Sequence, residues 1–381
     1  MDSRPFFGRA ETPAGDKRLR DSTTREQPTA EIHSLVEPLA AEWEELAEQT
    51  GASPFRRPGW IGPWWRAFGK GALEILTIRR DGRLVAVLPL GRQFGALSST
   101  TNWHTPDFGP VIEDPPALRA LAEELFVRAP RHVSLAFVDG AGATLPECRE
   151  AAASRGYRVL TRTLERSPFV RIDRDWQAYE RGLSRNARGD AKRRIRRLKE
   201  LGSMSVEVDH GTDRLDDLLA EGFRTEAAGW KGKDGTAIAS RPDTEGFYSE
   251  IAHWAAARSW LRLIFLRLNG RPIAFHYSLE HDGVHYFIKG GHDASYDSFS
   301  PGKILTYEML FRSFASELRS YELLGGDDPW KRLWATSYRE RELFQAFEKS
   351  LPGSVEWASF RYGRPLARGL SRRWPLTLLR R

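Results

Sequence analysis

The sequence predicts an α/β chain with a mixed sheet and helices on both faces, built as two versions of one α/β unit. Three observations carry this prediction. Segments with apolar residues at 3–4 spacing alternate with short apolar strands along most of the chain. Three two-residue turns, Asp81-Gly82, Asn269-Gly270 and Asp282-Gly283, each join two such strands into a hairpin. The order of elements in the first half returns on a larger scale in the second.

Residues 1–30 are polar, rich in turn formers and without periodicity, and read as a disordered leader. An amphipathic helix is expected over 34–50, then a Trp-rich segment with Trp60, Trp64 and Trp65. The strands ILTIRR and LVAVLPLG flank the Asp81-Gly82 turn. Helix 116–128, strand 132–138, helix 145–155 and strand 157–164 complete the first half. In the second half the expected order is helix 184–201, strand 204–209, and helices 213–229 and 242–258. Strands 260–268, 272–281 and 284–291 follow as an antiparallel meander. Helix 302–317, strand 319–324, a short helix from Pro329 and strand 342–348 end the series.

A chain of 381 residues with 40% apolar residues and 13 Trp can bury a substantial core. Its single cysteine, Cys148, excludes a disulfide framework and a Cys-based zinc site, and fits a reducing compartment. No apolar run reaches the ~20 residues needed to span a bilayer, and the N-terminus lacks an apolar signal segment. The expected location is cytoplasmic. Net charge is +7, and the seven arginines between Trp357 and Arg381, without an acid, account for all of it. Eight further basic residues against Asp190 crowd residues 184–199, so the remainder is net acidic and no specific nucleic-acid partner is expected. The scattered histidines offer no metal site.

Two segments stand out chemically. Tyr296-Asp297-Ser298-Phe299-Ser300-Pro301-Gly302-Lys303 joins a strand to a helix. Ser300 suits the N-cap and Pro301 the first helical position. The amides of Gly302, Lys303 and Ile304 would then face out of a positive helix terminus and bind phosphate, with Lys303 adding charge. An ordinary capped turn is the plainer account. In Leu323-Leu324-Gly325-Gly326-Asp327-Asp328-Pro329-Trp330-Lys331, Asp328 suits an N-cap and the glycines admit close approach of a ligand. Asp327 is left without a structural duty, and Lys331 is placed to pair with it or with a ligand.

The hairpin on Asp282-Gly283 pairs His281 with Val284. That register puts Phe275, Tyr277, Leu279, Val284, Tyr286 and Ile288 on an apolar face. His276, Ser278, Glu280, His285, Phe287 and Lys289 share the other, which is expected to line a wet acceptor cleft. His276 is the central candidate for general base. Glu226, beside the stripe Leu215, Leu219, Phe223, Ala227 and Trp230, is its rival, and Asp327 at a strand end is a third. Tyr338 is a candidate acid for a departing thiolate. In the basic helix Leu183, Ala187, Ala191, Ile195 and Leu198 form a thin apolar stripe, so most arginines face solvent. Arg185, Arg188 and Arg193 are open to a phosphorylated substrate or an anionic surface. The tail 357–381 mixes arginines with aromatics and is open to peripheral contact with membrane or protein.

Taken together, YD…SPGK and LGGDDPWK resemble the GNAT superfamily of acyltransferases, and within it the CelD-like branch associated with cellulose and exopolysaccharide synthesis. LSRNARGDAKRRIRRLKELG, AAGWKGKDG and LRLIFLRLNGRPIAFHYSLE resemble the same family. The likeness covers about 165–350 well and 31–165 more loosely. FSPGK stands where the family's Q/R-x-x-G-x-G/A loop is usual. The resemblance implies a tandem duplicated GNAT-like acyltransferase fold, with 31–165 as the N-terminal half and 166–356 as the acyltransferase domain. It implies acetyl-CoA or another acyl-CoA as co-substrate, without metal, and direct transfer to a small-molecule or glycan acceptor. The strand carrying Phe287 and Lys289 would run beside the pantetheine arm, Ser300, Gly302, Lys303 and Ile304 would hold the pyrophosphate, and Arg185, Arg188, Trp230 and Lys331 would meet the acceptor. Fem-type aminoacyl-tRNA-dependent transfer, and a degenerate fold acting as a scaffold in a polysaccharide machine, are the alternatives.

Overall fold

The computed structural model describes residues 28–363 except Ala129 and Thr212, and not the side chain of Asn186. Most of the expected leader and tail, 1–27 and 364–381, therefore lies outside the described residues.

The first half runs β1 (Thr29–His33), α1 (Ala40–Gln49), α2 (Pro58–Phe68), β2 (Ala72–Arg80), β3 (Arg83–Gln93), β4 (Ala96–Ser99), β5 (Val111–Ile112), α3 (Pro115–Val127), β6 (His132–Asp139), α4 (Thr144–Ser154) and β7 (Arg158–Arg171). The second runs α5 (Trp176–Gly182), α6 (Arg185–Lys199), β8 (Met204–Asp209), α7 (Leu215–Ala227), α8 (Trp230–Lys233), α9 (Pro242–Ala256), β9 (Leu261–Leu268), β10 (Arg271–His281) and β11 (Val284–His292). It ends with α10 (Pro301–Ala315), β12 (Ser320–Glu322), α11 (Pro329–Arg332), β13 (Ser337–Phe347) and α12 (Leu351–Ala358).

All the strands join one 13-stranded mixed sheet, ordered β1-β2-β3-β4-β6-β13-β7-β12-β11-β10-β9-β8, with β5 on β3. The mixed α/β fold expected from the sequence is the one observed. Each half contains a hairpin whose second strand lies, after a helical crossover, parallel to a further strand: β4 beside β6 and β11 beside β12. Each of those further strands is then bordered by an antiparallel strand from the other half, β6 by β13 and β12 by β7. The halves therefore exchange strands, and β7 runs straight across the expected boundary at 165.

Local chemistry explains the elements. At all three tight turns both residues have positive φ, 53° and 75° at Asp81-Gly82 and 47° and 67° at Asp282-Gly283, for example. This is the mirror-image turn that matches strand twist. A fourth turn of this kind, Phe94-Gly95, makes the β3–β4 hairpin, which the sequence did not announce because Phe rarely takes φ > 0. Asp114, Asp175, Ser184 and Ser350 cap α3, α5, α6 and α12 through side-chain oxygens. The short edge strand β1, with pattern TAEIH and largely exposed, begins within the last two residues of the expected leader. Strand β13 begins at Ser337 rather than 342, its first half carrying four consecutive charged residues, Arg339 to Glu342.

One apolar core joins the halves. Trp43, Phe55 and Trp60 pack with Phe247, Tyr248, Leu263, Phe265 and Tyr277. Trp60 meets Phe55 and Phe247 edge-on, with ring centroids 4.7 and 5.4 Å apart. Such pairs each add about 0.5–1.5 kcal/mol beyond burial.

Helix α10 ends in a left-handed residue, Glu317 (φ 50°), whose successor Leu318 donates back to the Ser313 carbonyl. Glycine is the favoured residue there. Exposed Glu317→Gly is expected to stabilise the fold by roughly 0.5–1 kcal/mol in urea unfolding. A loss of stability would show that the Glu317 side chain makes compensating contacts.

Candidate functional site

The strands β11 and β12 pair only from Val284 to Tyr286 with Ser320 to Glu322. Beyond that β11 continues to His292, while the other chain turns away through Leu324 (φ 52°) and Gly325 (φ 59°). A left-handed bulky residue costs energy, and the surrounding packing must hold it there. Between the diverging backbones lies a cavity of about 680 Å³, within the range of small-molecule sites. Its wall comes from both halves: Trp103, His104 and Pro106 from the first, and β11, the start of α10 and the loop after β12 from the second.

The start of α10 reaches this cavity through Ser300, Gly302 and Lys303. The expected row of free amides is only partly there. The Lys303 and Ile304 amides both donate to the Ser300 carbonyl, closing the first turn, and Ile304 is fully buried in the core. Ser300 occupies the N-cap position in a left-handed conformation (φ 49°, ψ 59°), and its hydroxyl donates to the Asp297 carbonyl instead of capping. Lys303 has a loose ion pair with Asp190 at 3.9 Å and remains partly exposed.

The hairpin register differs from expectation in one place. His281 does pair with Val284 and Ser278 with Phe287, but Tyr277 lies opposite Lys289. Ile288 is thus an extra residue, a bulge that moves Lys289 to the face of Tyr277. Its ammonium stands 4.3 Å from the Trp103 ring centroid and 5.9 Å from that of Tyr248. Burial, with the positive charge of Lys231 nearby, brings Lys289 down to about 8. The face left to His276, Ser278 and His285 is no wet cleft. All three are buried, close to the core that includes Ile304, Leu305 and Tyr321. His276 touches the cavity, but burial first, then His285 and Lys231, push it well below its ordinary value. A histidine so readily deprotonated is a weak proton acceptor near neutral pH.

Glu226 is not exposed to the cavity. It is 1% exposed, accepts from Lys231 Nζ at 3.1 Å and from the Ile238 amide at 2.8 Å. Lys231 also donates to the Gly290 carbonyl at 2.5 Å. The Gly290-Gly291 pair lets β11 press against this cluster, since a Cβ on Gly291 would lie 2.7 Å from Glu226 Cγ. Asp327 pairs with Arg332 and does not line the cavity. Tyr338 stands on β13 beneath the Arg166 guanidinium, also outside the cavity wall. Lys331 is at the wall but saturated, donating to the Leu324 and Gly326 carbonyls and paired with Asp328 at 3.0 Å. It ties the left-handed loop together. Phe287 lines the cavity between His276 and Trp330. Trp230 lines it too and is 59% exposed. Arg185 and Arg188 lie on α6, away from the cavity wall.

Sequence reasoning missed Trp103, His104, Tyr248 and Lys231. His104 shares a hydrogen bond of 2.9 Å with the Tyr248 hydroxyl, and burial, then Lys289 and Arg241, lower it to about 3. The glycine pair in the strand Val284–His292 was the one available signal for the close approach. Among the described residues no group of three or more His, Cys, Asp or Glu is placed to hold a metal, and no helix is long and apolar enough to cross a membrane.

The architecture is shared with known proteins. The C-terminal domain of a putative lysylphosphatidylglycerol synthetase from Agrobacterium fabrum superimposes with TM-score 0.55 at 12% identity, covering 86% of this chain and 96% of that one. FemX gives TM-score 0.55 at 13% identity, over 82% and 96%. A conserved protein of unknown function from Bacteroides thetaiotaomicron gives 0.50 at 12%, over 84% and 100%. No curated protein matches the sequence. Residues 185–332, which contain β11, β12 and the start of α10, match the acetyltransferase (GNAT) domain family, and the enzyme class this domain gives the chain is acyltransferase.

Proposed function

We propose that the chain transfers an acyl group directly from acetyl-CoA, or a related acyl-CoA, to an amine or hydroxyl on a sugar or cell-envelope precursor, as in exopolysaccharide synthesis. The carrying observation is the cavity opened where β11 and β12 diverge, with Lys303 and Gly302 at one end and residues of both halves around it. Lys303 supplies positive charge for the donor's phosphates at the start of α10. The strongly exposed rings of Trp103 and Trp230 on the cavity wall suit the apolar face of a sugar ring.

Calorimetric titration with acetyl-CoA and with CoA tests this reading. Micromolar binding is expected, and Lys303→Glu should weaken it about tenfold or more, the worth of one charged contact. No binding by the wild-type protein would overturn the reading. Equal binding by the variant would remove Lys303 from the site.

A second reading, transfer from aminoacyl-tRNA, is favoured by the fold shared with FemX and by the exposed basic face of α6. Filter binding at several salt concentrations separates the two, because contacts to many phosphates give a steep salt dependence.

A further inference from the structure

Lys289 differs from the other charged side chains of the cavity. Lys231 is held by Glu226 and a carbonyl, Lys331 by two carbonyls and Asp328, and His292 by Asp297 at 2.8 Å. Around the Lys289 ammonium the contacts are instead aromatic, the rings of Trp103 and Tyr248. The Ile288 bulge aims it at the line where the two halves meet, and it lies in the wall of the cavity itself. The charged and titratable groups facing it are Lys231 and Glu226 from the α7–α8 region, His104 from the first half, and Tyr248 from α9. Of these Lys231 disfavours its charge and Glu226 favours it, with burial the largest influence. A lysine desolvated among rings and beside another cation is the arrangement that makes an amine nucleophilic near neutral pH.

We propose that Lys289 is a self-acylation site: its Nζ takes an acyl group from a thioester held in the cavity. The proposal rests on the acyl-CoA reading above. In the step, the ammonium first releases one proton to water. The neutral nitrogen attacks the thioester carbonyl carbon, the C–N bond forms, and the C–S bond breaks. Coenzyme A leaves as thiolate and takes up the second proton lost by nitrogen. The product is a stable amide, so Lys289 is a modification site and not a relay to the acceptor. Acylation removes the cation and fills this part of the cavity with an amide.

The test is incubation of the full chain with acetyl-CoA, followed by intact mass and peptide mapping. One acetyl group on the Lys289 peptide is expected, slowed by excess CoA and absent in Lys289→Arg. Its rate should rise about tenfold from pH 7 to pH 9 and then level off, as the neutral fraction saturates. A lysine side chain in a short unstructured peptide, with its ordinary value near 10.4, should instead rise about a hundredfold over that interval. If acetyl-CoA binds calorimetrically but Lys289 stays unmodified, or reacts with the same pH dependence as the peptide lysine, the proposal is wrong. Absence of any acetyl-CoA binding would instead overturn the thioester reading, and this proposal with it.

Discussion

Asp107→Ala is expected to destabilise the protein by about 3–5 kcal/mol, the cost of breaking a buried ion pair from one side. The Asp107 carboxylate receives Arg56 through two hydrogen bonds of 2.9 and 2.8 Å, Arg341 at 2.7 Å and the Ser53 hydroxyl at 2.7 Å. Arg341 is 8% exposed, and removing its counter-ion strands a guanidinium inside the protein. Asp107→Asn keeps the shape without the charge and should lose somewhat less. The same site sets an acid limit. Burial opposes the Asp107 charge, but Arg56 and Arg341 more than offset this and hold the carboxyl well below the usual range. A depressed folded value stabilises the fold fully above the unfolded value near 4, and that stability disappears as pH falls further. Urea midpoints measured between pH 7 and pH 3 should therefore fall in the wild-type protein and fall less in Asp107→Asn. Equal slopes would mean that other carboxylates govern acid unfolding.

Glu226→Ala carries the second large effect, again about 3–5 kcal/mol. Its carboxylate is fully enclosed, neutralises Lys231 and accepts the Ile238 amide. Removal leaves the Ile238 amide unpaired and the Lys231 charge without its counter-ion, held only by the Gly290 carbonyl on β11. Glu226→Gln keeps an acceptor for the amide and should recover part of the loss. Denaturant unfolding reads both values. A Glu226→Gln protein with wild-type stability but no acyl transfer would restore Glu226 as a proton acceptor, against the structural duty described here.

Much of the fold was legible because its signals are local. The paired residues of the tight turns and the apolar spacing of α10 each act within a few residues, whereas Ser300 and Asp328 take the expected N-cap positions without a side-chain cap. The hairpin register followed from one turn, up to the point where Ile288 is inserted. Nothing in the local pattern marks that bulge, since Ile, Lys and the glycines suit either register. The roles of Asp327 and Lys331 depended on neighbours that the sequence names but does not aim. Asp327 had Arg332 close by, and Lys331 turned back to carbonyls of its own loop. Trp103 and His104 come from the other half, so only the tertiary fold brings them to Lys289.

The exchange of β7 and β13 has a consequence for synthesis on the ribosome. Strand β6 is complete at Asp139, yet its partner β13 begins at Ser337. During the intervening elongation one edge of β6 has no strand from its own half to close it. Such an edge can pair with another nascent chain. Because closing it requires a contact between residues so far apart along the chain, the last step of folding is also the slowest kind. The sheet thus closes only after β13 has been made, and a chain stopped at 165 would hold half of β7 and an unclosed β6.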